Sequence, residues 1–180
     1  LSYKILDAGF RCVYTPYALL THIGNHSWNA NPRKYKADIF CLKRWGNYVS
    51  RDPYFTPSMC KALYRDFTFD FRIHAKGVDP TEKYSGPDVL FVSHELTHTG
   101  APHMLLEAAR AVKAAGGFPV VIAPADGSLR TTFERERIAI IIDASLNSKH
   151  FLFEQFAKNF DLVVVNTVAL RGVVEQLTHN

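Results

Sequence analysis

Cysteine is scarce. The chain has three, Cys12, Cys41 and Cys60, at wide and irregular spacings with no C-x-x-C pair. That pattern excludes a disulfide framework and a structural zinc site, and it fits buried free thiols in a reducing, cytoplasmic setting. Long apolar runs are also missing: none approaches the roughly 20 residues that span a bilayer. The opening "LSYKILDAGF" lacks the basic-then-apolar layout of a signal peptide. No transmembrane segment is expected, which leaves peripheral contact with a membrane open. The first residue is Leu1 and not Met, so the chain reads as a segment of a longer polypeptide. A nucleic-acid motif is absent, and so is the G-x-G-x-x-G fingerprint of dinucleotide-binding folds.

What is present is a globular composition. Apolar residues make up 47% of the chain and charged residues 21%, enough of the former to build a core. The net charge of +4 hides an asymmetry. Residues 1–87 carry 13 Lys and Arg against 7 Asp and Glu, whereas residues 88–180 carry 8 against 10. The basic clusters "NPRKYK" and "LKRWGNYVSR" form either an anion-attracting surface or a solvated face, and no nucleic-acid partner is expected.

From residue 88 the hydrophobic pattern alternates between two periods. "DVLFVS", "PVVIAPA", "IAIIIDA" and "DLVVVNT" are short, nearly unbroken apolar runs of strand type. Helix formers separate them: "APHMLLEAARAVKAA" closed by Gly116 and Gly117, "LRTTFERER" with Ser128 as a cap, "SKHFLFEQFAKNF", and finally "VALRGVVEQLTH". Alternation of this kind implies right-handed crossovers and an α/β fold, a Rossmann-like parallel sheet with helices on both faces over residues 88–180. Residues 1–87 are less regular and read as an α+β segment. A helix end capped by Gly9 and a strand "RCVYTP" are followed by dense aromatics and scattered prolines. "RIHAKGVDPTEKYSGP" reads as a linker, which puts a boundary near residue 86 and divides the chain into 1–86 and 87–180.

His94-Glu95-Leu96-Thr97-His98 has the letters of a zinc metalloprotease. That chemistry needs both imidazoles one turn apart on a single helix face. Here His94 directly follows a strand, and Gly100 and Pro102 come where such a helix would continue. Proline costs about 3 kcal/mol in a helix interior but suits a first turn. The expected helix therefore starts after the motif, at about Ala101, and no zinc is expected on His94, His98 or His103. In an open parallel sheet, the loop beyond the first strand is instead where ligands bind. Gly100 and Ala101 open a helix whose free N–H groups suit a phosphate, and Asp126-Gly127 forms a turn at the same end of the next strand.

The stretch from "VLFVSHELTHTGAPH" through "GGFPVVIAPADGSL" to "IIID" resembles the start of a GT-B glycosyltransferase of the retaining group 1 type. The likeness rests on the His after the first strand, the Gly-Ala at the helix start and the Asp-Gly turn after the second. It implies a nucleotide-sugar donor and a glycan acceptor, with His94, Gly100, Ala101, Asp126 and Gly127 along the rim of the binding cleft. The first part, "LSYKILDAGFRCVYTPYALLTHIGNHSW", is similar to the C-terminal end of a family-two GT-A glycosyltransferase. That likeness places His22, with His26 as the alternative, near the donor diphosphate and its divalent metal.

Together these resemblances imply the junction of two transferase modules in a cytoplasmic enzyme of surface polysaccharide synthesis. The remainder of the parent polypeptide would be the partner of this segment. The acidic motif that precedes such a family-two tail and the second GT-B domain are both outside the 180 residues. No catalytic residue is assigned, and no turnover is expected of this segment alone. The rival reading is a non-catalytic Rossmann-like module that binds a nucleotide or a protein.

Overall fold

The computed structural model describes residues 2–13, 15–21, 36–51, 71–146 and 151–178. Its helices are α1 (Ser2–Asp7), α2 (Ala37–Val49), α3 (Gly100–Ala114), α4 (Arg130–Arg135), α5 (Phe151–Ala157) and α6 (Arg171–Thr178), the last preceded by a 3-10 turn at Val168–Leu170. Its strands are β1 (Phe71–His74), β2 (Asp88–Val92), β3 (Phe118–Ala123), β4 (Ala139–Asp143) and β5 (Leu162–Val165).

The five strands form one sheet in the order β1-β4-β3-β2-β5. β2, β3, β4 and β5 run parallel, while β1 is antiparallel to β4 and caps that edge. Every residue of β2 and β3 is buried, because helices cover both faces of the sheet. Alternate side chains feed two cores. Leu90, Val92, Val120, Ile122 and Ile141 point to the layer that contains Ile39 and Leu42 of α2, Phe153 of α5 and Val173 of α6. Val89, Phe91, Val121, Ile140 and Ile142 face Leu105, Leu106 and Ala109 of α3 and Phe133 of α4. The Rossmann-like layering expected over residues 88–180 is thus observed.

The part before residue 88 differs from its sequence reading in three ways. The stretch read as a linker begins with β1, whose residues Arg72, Ile73 and His74 pair with Ile142, Ile141 and Ile140. Four residues with one charge and a histidine give too short an apolar pattern to register as a strand. Secondly, no strand forms at "RCVYTP" among the described residues, and those of its residues that are described are exposed. Thirdly, Cys12 and Cys41 are exposed and not buried, and Cys60 lies outside the described residues. Two smaller features divide likewise. Gly9 does end α1 in a left-handed conformation (φ 81°), with Phe10 N–H donating to Ile5 O (3.1 Å). Ser128, expected to cap α4, does not: that helix starts from Leu129 without a side-chain cap. Among the described residues, no helix is long and apolar enough to cross a membrane.

α2 is fastened to the amino-terminal edge of the sheet by charge. Asp88, at the start of β2, is almost fully buried and accepts from both Lys43 and Lys36. Lys36 also reaches Asp161 at 2.8 Å, and the Asp161 carboxylate accepts from Asp88 N–H at 2.8 Å. Lys43 further lies 5.1 Å from the centre of the Phe118 ring. Removing the carboxylate deprives the Lys43 ammonium of its Asp88 partner beside the Phe118 ring, while Lys36 keeps Asp161. Asp88→Ala is expected to destabilise the fold by about 2–3 kcal/mol, below the full cost of a buried broken pair because Lys36 is half exposed. Urea denaturation followed by circular dichroism measures this.

Candidate functional site

From β2 the chain steps sideways to β3 and then β4, after which β5 returns to the other side of β2. The carboxyl ends of β2 and β5 are therefore the point at which the winding reverses, where an open parallel sheet leaves a crevice. Two connections border it, residues 93–99 after β2 and 166–167 after β5.

The first connection holds the HELTH letters. β2 ends at Val92 and α3 begins at Gly100, so His94 and His98 both lie in the loop between them. The structure agrees with the sequence reading on this point, and the helix starts one residue earlier than expected. Pro102 sits in the first turn of α3 and is buried there. Among the described residues, no group of three or more His, Cys, Asp or Glu is arranged to hold a metal ion. His98 and His103 instead meet each other, Nδ1 to Nε2 at 3.2 Å.

Polar contacts fix the loop's course. Ser93 is fully buried; its N–H donates to Ile122 O (2.9 Å) and its hydroxyl to Glu95 O (2.6 Å). Thr99 Oγ1 donates to Glu95 Oε1 at 2.7 Å. The Thr99 and Thr97 hydroxyls hold the Glu95 carboxyl below its ordinary range, with a smaller contribution from His94. His94 Nε2 approaches the same Oε1 at 3.3 Å.

The loop after β3 closes against this one. Gly127 is packed so tightly on Leu96 that a Cβ built there would fall 2.2 Å from Leu96 O. That carbonyl accepts from Leu129 N–H at 2.9 Å. Asp126 holds the turn from the other side, accepting from Gly127 N–H and from Arg130 Nε, both at 2.8 Å. Partial burial opposes ionisation of Asp126, but the Arg130 and Gly127 bonds outweigh it and lower its pKa. Arg130 continues to Glu134 (2.7 Å), and Glu134 to His74 Nδ1 on β1 (3.2 Å). Burial, and next the Arg130 charge, push the His74 pKa down.

The structure thus joins the loop of His94 to the Asp126-Gly127 turn through Leu96. Gly100 and Ala101 are joined to β5: Asn166 Nδ2 donates to Ala101 O at 2.6 Å, and Asn166 N–H to Val92 O at 3.2 Å. A Cβ at Gly100 would meet nothing within 4 Å, so packing within the fold does not demand a glycine there. Asp126 spends its carboxylate on the turn and on Arg130. His22 lies outside the described residues. Sequence reasoning missed Asn166, Thr167 and Arg130. The first two could have been found by applying the strand-end rule to "DLVVVNT" as well as to "DVLFVS".

A family model described as Glycosyl-transferase family 4 matches residues 85–180, just over half of the chain. The chain belongs to glycosyltransferase family 4. Members of this family use nucleotide-sugar donors, and the matched region holds the whole crevice just described. The match does not extend to residues 1–84 and gives no support to the family-two likeness. Neither a curated protein nor a solved structure matches the chain.

Gly127→Ala is expected to push the 126–129 turn off Leu96 and to cost about 1–3 kcal/mol, as overpacking does, read as a fall in urea midpoint. Asp126 adds a pH dependence. Because its folded-state pKa is lowered, its contribution is present above the ordinary carboxyl value of 3.8 and is lost as pH falls through the folded value. Asp126→Asn should therefore narrow the stability difference between pH 6 and pH 2.5, measured by thermal melts at both.

Proposed function

We propose that this chain serves transfer of a glycosyl group from a nucleotide sugar to a glycan acceptor, in cytoplasmic synthesis of a surface polysaccharide. The observation that carries the reading is the coincidence of the family match with a winding-reversal crevice edged by the Gly100-Ala101 helix start. His94, Gly100, Ala101, Asp126 and Gly127 belong to its rim. The start of α3 presents free N–H groups and the positive end of a 15-residue helix, which suit a phosphate-bearing donor. Stabilising negative charge that develops on a departing nucleoside diphosphate is the chemistry such a helix end supplies. Peripheral contact with a membrane is compatible with this role.

We read residues 1–86 as the tail of a family-two module, on their sequence likeness alone. The divalent metal of that module would lie near His22, outside the described residues, and no step is assigned to it. The rival reading, a module that binds nucleotide or protein without catalysis, shares the same crevice and differs in the absence of sugar transfer.

Thermal melts with nucleoside diphosphates test the site. At a hundred times its Kd a ligand stabilises by about 2.7 kcal/mol, so UDP or GDP at saturation should raise Tm by several degrees. No sugar transfer is expected from the 180 residues alone. Stoichiometric zinc retained through dialysis, and lost in His94→Ala and His98→Ala, would instead return the HELTH segment to metal chemistry.

A further inference from the structure

Among the described residues three buried side-chain atoms have no hydrogen-bond partner: His74 Nε2 on the edge strand β1, and one atom beyond the carboxyl end of each of β2 and β5. His94 Nδ1 and Thr167 Oγ1 are shut off from water and have no hydrogen-bond partner among the described residues. Both belong to neighbouring parallel strands. Val92 pairs with Val165, and each orphan sits two residues beyond that pair, one at the end of β2 and one at the end of β5. Unpaired buried polar atoms are uncommon, and each one calls for a reason.

Local structure does not supply it. Thr167 occupies the position preceding the 3-10 turn with extended backbone angles (φ −144°, ψ 155°), where a threonine hydroxyl commonly caps the following N–H groups, yet it makes no cap bond. His94 uses only its other ring nitrogen, which faces Glu95. Both residues are partly exposed, although these two atoms are themselves buried.

The chemistry of the pair selects its ligand. With the ring proton on Nε2, opposite the Glu95 carboxylate, Nδ1 offers a lone pair and needs a donor. Ionised phosphate oxygens only accept, whereas a sugar hydroxyl both donates and accepts. Thr167 Oγ1 can take either part. We propose that His94 and Thr167 bind a hydroxyl of the glycosyl ligand, donor sugar or acceptor, and leave the phosphates to the helix start. This rests on the sugar-transfer reading of the crevice.

Thr167→Val tests it, because valine keeps the shape and removes only the hydroxyl. Binding of UDP, UDP-glucose, GDP, GDP-mannose and maltose to the 180-residue chain is followed by calorimetry and saturation-transfer NMR. The expected result is about a tenfold loss of affinity for a sugar-bearing ligand. Its free nucleotide should be unaffected, Thr167→Ser should retain affinity, and the Tm of the valine variant should be no lower than wild type. Loss with the nucleotide sugar identifies a donor hydroxyl, and loss with maltose an acceptor hydroxyl. A fall in Tm would show a structural partner for Oγ1 and overturn the inference. So would equal weakening of free nucleotide, or a sugar-bearing ligand that binds Thr167→Val as it binds wild type. If wild type binds none of the five ligands, the sugar-transfer reading itself fails and the inference falls with it.

Discussion

The rest of the structure depends on where β2 sits. It is the first strand of the parallel set and also its middle, pairing with β3 on one side and β5 on the other. A strand in that place must be apolar on both faces, and Asp88–Val92 is buried at every position. Its neighbours start on opposite sides only because the chain reverses direction across the sheet after β4. The helices that leave β2 and β5 therefore diverge to opposite faces, with α3 packed into one core and α6 into the other. The loops after Val92 and after Val165 lie at these carboxyl ends, where a parallel sheet of this winding binds its ligands. Both the position of the crevice and the residues that border it follow from this one arrangement.

The two ends of β2 are treated differently. At the amino end, the polar group is Asp88, and every charge around it is matched by Lys36, Lys43 and the adjoining Asp161 cluster. At the carboxyl end the bonds are less complete: Ser93 is satisfied, whereas among the described residues His94 Nδ1 and Thr167 Oγ1 have no partner. A fold can meet the polar needs of one end by its own side chains, as α2 shows. Leaving the other end short is costly to stability in proportion to the unpaired groups. Two of the three such atoms among the described residues lie at the winding reversal, the third being His74 Nε2 on β1, and a ligand is the partner proposed for those two.

Much of the fold was legible because its strands are fully buried. "DVLFV", "FPVVIA" and "AIIID" are apolar without interruption, which two covered faces require and a half-exposed sheet would not tolerate. The loop position of the HELTH letters could be read as well, since Pro102 cannot lie deep within a helix that also contains His94. β1 was hidden for the converse reason. As an antiparallel edge strand, Phe71–His74 alternates apolar and polar residues over only four positions, too few to stand out, and its register with β4 specifies it. Cys41 misled because residue type was used in place of helix phase: α2 buries Ile39, Leu42 and Trp45, and Cys41 falls on the opposite face.

The site was legible only on one side of the crevice. Gly100-Ala101 and Asp126-Gly127 carry local signals, a glycine before a helix and an Asp-Gly turn. Asn166 and Thr167 carry only the general signal of a strand end, and the strand order, which pairs Val165 of β5 with Val92 of β2, is what sets them on the same border. The Asn166 bond to Ala101 O then has a consequence for how the two borders behave. It ties the first turn of α3 to the end of β5, while Leu96 O ties the intervening loop to the turn after β3. The border on which His94 and Thr167 lie is thus fixed at both flanks. A border held by these bonds leaves the surrounding backbone little freedom to adapt to ligands of different shape.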